Sequence, residues 1–220
     1  MKKVFAMIVL AIAVVCCGTP DTNIYTSDLS NLSESMDESI MAPKQEMLEL
    51  LLKYLAVESG SKEMEGYPMT DGQMEMARLI RADIEALGLP AILSDWGYVY
   101  TEIPSNIKKD VPVFGISCHL DYTPEAPGKG IKPSVFIYQG GDIMLADGTS
   151  ISPSNPDGAE LPDLIGKTLV VSDGTTLLGA DDKNGCAISM TILKTLLNPT
   201  VSHGDRKSVG EGKSVDLGGR

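Results

Sequence analysis

The chain has 220 residues, 43% of them hydrophobic, which is enough to bury a core and excludes a disordered polymer. Its 18 basic and 30 acidic side chains leave a formal charge of −12, so it lacks the basic face that a nucleic-acid binder needs. The excess of acid reads as a soluble acidic surface.

The first residues, "MKKVFAMIVLAIAVVCCGTP", carry two lysines, a twelve-residue apolar run from Val4 to Val15, and then Cys16-Cys17-Gly18. A charged start, a short apolar centre and small residues at the end make residues 1–18 a secretory signal in form. The run is too short for a membrane span. It resembles a bacterial lipoprotein signal, which would make Cys17 the lipidated residue and the cell envelope the destination. Cys16 departs from that pattern, standing where Gly, Ala or Ser is usual. The alternative is a start at Met41 and a cytoplasmic protein. Residues 19–42 are polar, rich in Ser and Asp and without periodicity, as in a linker.

"PKQEMLELLLKYLAVES" places Met47, Leu48, Leu51, Leu52 and Leu55 at helical spacing. "TDGQMEMARLIRADIEALGL" predicts a second helix, with Thr70 and Gln73 as a capping box and Gly88 as its stop. "AILSDWGYVYTEIP" predicts a hairpin turning at Asp95-Trp96-Gly97. "VPVFGISCHLD" is a continuous apolar run, which suits a strand buried on both faces. Residues 124–165 read as a long loop-rich stretch, followed by a strand at "TLVVSD". "NGCAISMTILKTLLN" predicts a helix with Ile188, Ile192 and Leu196 along one stripe. Strands alternating with helices make the fold class α/β.

Two short stretches carry chemistry. In "SCHLD", His119 and Asp121 are two apart at the end of a strand, so their side chains share a face. Strand carboxyl ends are where α/β sheets gather their sites. An imidazole with a carboxylate beside it fits a metal ligand and its orienting partner; the alternative is a core histidine with a hydrogen-bond partner. In "TLLGADDKNG", Asp181 and Asp182 are adjacent like charges whose repulsion a divalent cation would offset. The alternative is that Asp182 caps the following helix while Asp181 is solvated. A calcium loop is excluded: with Gly185 at position 6, Ala180 and Thr191 fall at positions 1 and 12. Cys118 and Cys186 are isolated and make no disulfide framework. Cys118 and His119 point to opposite faces of a strand, which argues against a thiol nucleophile.

"GISCHLDYTPEAPGKGIKP", "YQGGDI" and "LPDLIGKTLVVSDGTTLLGADDKNG" together resemble the peptidase T family of tripeptide aminopeptidases. That family lies among the dinuclear zinc peptidases that include aminoacylase and carboxypeptidase G. The interval of 62 residues from His119 to Asp181 resembles it too, and the likeness runs from about Met47 to Asp205. It implies two zinc ions, a small peptide substrate and an incomplete N-terminal half of a zinc-peptidase catalytic domain, with a mixed sheet flanked by helices. It also implies that His119 ligates one zinc, that Asp181 bridges both with a cis peptide to Asp182, and that Asp121 is the catalytic-site carboxylate orienting His119. Tyr122-Thr123-Pro124 departs from the usual Thr-Ser-Pro, which bears on pocket shape rather than on the metal site.

On this reading residues 43–205 are a partial catalytic domain, and the paired Glu, one of which is the family's general base, is absent. Residues 206–220 match nothing in the family: from Asp205, "DRKS" is the translation of GATCGGAAGAGC, a sequencing-library adapter, so this tail is expected to be non-native. Glu211 is not expected to replace the missing base, because its Gly-rich surroundings offer no sheet edge to hold it. The alternatives to a tripeptide aminopeptidase are a lipid-anchored, non-catalytic peptide-binding module, and a deacylase or dipeptidase on the same scaffold.

Overall fold

Helix α2 (Asp71–Ala86) starts where the sequence supplies an oxygen to cap it. Thr70 Oγ1 accepts from the Gln73 backbone N–H at 3.2 Å. Gln73 Nε2 is buried without a partner among the described residues. The helix ends at Gly88, which takes φ 82° and donates to the Glu85 carbonyl at 2.9 Å. The computed structural model describes residues 9–12, 38–62, 70–108, 113–204 and 206–211.

Two units divide the chain. One comprises residues 1–45 and 125–178. It contains a three-stranded sheet in the order β1 (Val9–Ile12), β8 (Thr168–Val171), β5 (Ser134–Ile137), all antiparallel. A small hairpin of β6 (Ile143–Met144) and β7 (Ser150–Ile151) accompanies it. Tyr138, Ile143, Leu145, Ile151, Leu161, Leu169 and Val171 form its core. The stretch expected to be loop-rich therefore holds three short strands and two 3-10 turns, Pro156–Gly158 and Leu161–Leu164. Alternation in "SVFIYQ" and "DIML" is too brief to stand out from the glycines around it.

The second unit, residues 46–124 and 179–220, carries the candidate site. Its sheet runs β2 (Ile92–Leu93), β3 (Val99–Ile103), β9 (Arg206–Glu211), β4 (Phe114–His119). β2 and β3 form the predicted hairpin, with Gly97 at φ 83° in the turn. α1 (Glu38–Leu55) enters this unit with Leu48, Leu51, Tyr54 and Leu55 buried. α3 (Ala180–Leu196) packs on β4, and α2 packs on β2 and β3.

Several expectations are corrected here. β4 is not buried on both faces: Phe114 is exposed, Gly115 and Ser117 are exposed, and only Cys118 is fully covered. α3 packs on β4, where its Ser189 reaches the Cys118 sulfur. The buried stripe of α3 is Cys186, Ala187, Met190 and Leu193, while Ile188, Ile192 and Leu196 are half-buried. Two of these four, Cys186 and Ala187, are small, so bulk alone did not mark the stripe. α1 begins at Glu38, inside the expected linker.

β9 lies in the segment expected to be a non-native tail. It pairs antiparallel with β3 and parallel with β4, and Glu211 stands in register with His119. The expectation that no sheet edge holds Glu211 is therefore corrected. Strand pairing uses backbone groups, which any non-proline sequence supplies. Of the expected signal, residues 1–8 and 13–18 lie outside the described residues, Cys16 and Cys17 among them, as do linker residues 19–37 and tail residues 212–220. No described helix is long and apolar enough to cross a membrane.

Candidate functional site

Three segments of the second unit meet where β4 ends. Beyond its last residue run Leu120, Asp121 and Tyr122. The segment Val57–Ser61, which follows α1, is stitched to them. Ser59 Oγ donates to the Leu120 carbonyl at 2.6 Å, and the Ser61 backbone N–H and Oγ–H donate to the Tyr122 carbonyl at 2.9 and 3.0 Å. From α3, Lys183 reaches back, fully buried, and donates to the Val57 carbonyl. Its Nζ lies 5.1 Å from the centre of the Tyr122 ring, a cation over an aromatic face. Burial lowers the Lys183 pKa to about 8. Tyr122, the departure noted in the sequence, fits because residue 60 is glycine: a Cβ there would lie 3.0 Å from the Tyr122 ring.

His119 and Asp181 are brought together. His119 Nε2 is 3.1 Å from Asp181 Oδ1. His119 Nδ1 lies 3.0 Å from the Asp121 carbonyl oxygen and 3.1 Å from Asp121 Oδ1. Both neighbours of Nδ1 are acceptors, so Nδ1 carries a proton and donates. The hydrogen bond to Asp121, and the carboxylates around the ring, raise the His119 pKa to about 9. The Asp181–Asp182 peptide is cis, and both residues leave helical geometry at the start of α3.

The two aspartates divide their work. Asp182 Oδ1 accepts from the Gly185 N–H at 3.1 Å and so caps the regular part of α3. Burial raises the Asp182 pKa, against the opposing pull of the nearby His119 ring. The capping alternative thus describes Asp182. Asp181 is exposed, as that alternative has it, and its Oδ1 also faces the His119 ring.

Proton linkage follows from the raised His119 pKa. The folded chain holds the proton up to about pH 9, the unfolded chain only to about 6.5. Between those values the folded state binds more protons, so stability is full below pH 6.5 and falls as pH rises toward 9. The ring is 41% exposed, which keeps the effect small. Urea midpoints of the metal-free chain should decline over that window, and His119→Gln should flatten the decline. An unchanged slope in the variant would refute the assignment.

The site residues expected from sequence therefore occupy one place. Sequence reasoning missed Lys183, whose partner Val57 lies 126 positions away. It also missed the approach of Cys118 to Cys186. Cys186 Sγ lies 3.6 Å from the carbonyl of His119, the residue next to Cys118, and interaction between the two thiols lowers the Cys118 pKa and raises that of Cys186. An apolar helix face gives no signal that its cysteine meets another. As for a metal, imidazole nitrogen and carboxylate oxygen are zinc donors, and two ligands of one tetrahedral zinc stand roughly 3.4 Å apart. The 3.1 Å between His119 Nε2 and Asp181 Oδ1 fits that separation. No three of His, Cys, Asp and Glu gather around one point among the described residues.

No family model matches the chain. Among curated proteins, it is 42% identical over 164 residues to peptidase T of Shouchella clausii, covering 73% of this chain and 40% of that protein. It is 39% identical over 175 residues to peptidase T of Clostridium perfringens, covering 74% and 43%. The chain thus spans about two fifths of the length of these relatives. Among solved structures, aminopeptidase PepT from Bacillus cereus matches with a TM-score of 0.50 at 21% identity, over 75% of this chain and 35% of that one. That likeness supports a partial α/β peptidase fold. Across 73% of its length, this chain is a peptidase T-like polypeptide.

Proposed function

We propose that this peptidase T-like chain is part of a zinc aminopeptidase that releases the N-terminal residue of tripeptides. The observation that carries the reading is the approach of His119 to Asp181, with Asp121 behind the imidazole. His119 Nε2 and Asp181 would hold zinc. Zinc, when bound, supplies a Lewis acid for the scissile carbonyl and lowers the pKa of water. Asp121 keeps the Nδ1 proton, so the Nε2 lone pair is the one offered to a metal. Asp182 holds the start of α3 through the Gly185 N–H.

The general base of this chemistry is not among His119, Asp121 and Asp181. The purified 220-residue chain with zinc is therefore expected to release no amino acid from a free tripeptide, and measurable turnover would overturn that statement. The complete product of the locus is expected to cleave free tripeptides, to leave N-acetyl tripeptides intact, and to lose activity with a chelator. Preferential hydrolysis of acyl-amino acids would replace the aminopeptidase reading with a deacylase.

A further inference from the structure

We propose that Lys183 is a positioning residue: from the first turn of α3 its ammonium anchors the turn after β4, and so sets the separation of His119 Nε2 from Asp181 Oδ1. The inference rests on the zinc reading above for the use of that separation, and on geometry alone for its origin. Lys183 is fully buried. Taking an ammonium out of water is costly, and a methionine would fill the same space without that cost. What the ammonium adds is a hold on two neighbours at once. It donates to the Val57 carbonyl, and it stands 5.1 Å from the centre of the Tyr122 ring.

Both contacts lead to His119. Val57 opens the segment that Ser59 and Ser61 fasten to the Leu120 and Tyr122 carbonyls. Within it Gly60 pairs with Tyr122 in a parallel bridge, and Thr70 Oγ1 donates to the Gly60 carbonyl at 3.1 Å. Asp121 sits between the two fastened residues. Its carbonyl oxygen and its Oδ1 are the acceptors, at 3.0 and 3.1 Å, that hold the Nδ1 side of the His119 ring. In the other direction Lys183 lies two residues after Asp181. Cys186 and Ser189 meet β4 farther along α3, at the His119 carbonyl and the Cys118 sulfur. Lys183 holds the first turn, where Asp181 sits. One side chain therefore joins the support of the imidazole to the backbone that carries the carboxylate.

The 220-residue chain in a Cys16→Ser/Cys17→Ser background tests this with two readouts. In the metal-free chain, nuclear Overhauser contacts between the His119 ring protons beside Nε2 and the Asp181 β-protons report the separation. Competition with a chromophoric chelator reports zinc affinity. Lys183→Met keeps the volume and removes the ammonium. It should lose the Overhauser contacts and lower zinc affinity by about tenfold or more, as loss of a ligand's support does. Thr101→Val is the control: it deletes the 2.9 Å bond from Thr101 Oγ1 to the Pro90 carbonyl, and should lower the urea midpoint while leaving both readouts unchanged. Circular dichroism confirms that each variant folds. Where Lys183→Met does not, Tyr122→Leu removes the aromatic face beneath the ammonium and should weaken both readouts in the same direction. A folded Lys183→Met, or Tyr122→Leu in its place, that keeps the Overhauser contacts overturns the proposal. So do contacts absent from the wild type, or lost equally in Thr101→Val. Zinc affinity absent from the wild type would count against the zinc reading, and the Overhauser contacts would still decide the role of Lys183.

Discussion

Gly72→Ala is expected to destabilise the chain by roughly 3 kcal/mol or more, read as a large drop in the urea midpoint. The expectation runs against local propensity, since alanine in a helix gains up to about 1 kcal/mol over glycine. Geometry decides the sign. A Cβ on Gly72 would lie 1.8 Å from the Glu58 carbonyl oxygen, 2.8 Å from its carbon and 3.3 Å from Ser59 Cα. These are backbone atoms and cannot swing aside like a flexible side chain. The loop that holds them is fixed from both directions: Val57 accepts from Lys183, and Ser59 donates to Leu120. Moving Glu58 by more than an ångström would strain the stitching that also shapes the turn after His119. Gly88→Ala is the useful contrast. Nothing lies within 4 Å of a Cβ there, so only its positive φ of 82° resists, at about 1 kcal/mol. If Gly72→Ala unfolds with the wild-type midpoint, α2 does not approach the loop as described.

The same pair of glycines shows what a sequence can and cannot reveal. Gly88 was legible as a stop because a helical period ends beside it, and the reason is local. Gly72 was not, because its reason is a carbonyl fourteen positions earlier, brought near by packing. The site divides likewise. His119 and Asp181 could be named because short motifs carry their chemistry, though they lie 62 residues apart. Lys183, two positions beyond Asp181, was passed over: a lysine at a helix start ordinarily faces water. Its burial depends on Val57 and the Tyr122 ring, neither visible from its neighbours. In α3, spacing marked Ile188, Ile192 and Leu196, where the fold buries Cys186, Ala187, Met190 and Leu193 instead. Periodicity reports where apolar groups recur, not which of them a neighbour can approach. Register in β9 was illegible for another reason. Backbone pairing needs no particular side chain, so composition argued against a strand that the sheet accommodates.

Zinc affinity gives the largest expected effect at the site itself. In a Cys16→Ser/Cys17→Ser background, which removes two competing thiols, the 220-residue chain should compete weakly for zinc with a chromophoric chelator. His119→Ala and Asp181→Ala should each abolish that competition, because a site with two protein donors keeps only one. Asp121→Asn should leave both donors in place and lower affinity by roughly 10–100-fold, since the carboxylate that fixes the ring and raises its basicity is lost. The dependence on pH has a defined direction. Zinc needs the Nε2 lone pair, and a proton holds it up to about pH 9, so affinity should rise with pH toward that value. Asp121→Asn removes the main cause of the raised pKa. Its affinity should therefore level off at a lower pH even though it is weaker throughout. That crossing of effects separates an orienting carboxylate from a merely structural one, which would lower affinity without moving the pH profile. Zinc binding retained in both His119→Ala and Asp181→Ala would place the metal elsewhere and remove the basis of the peptidase reading.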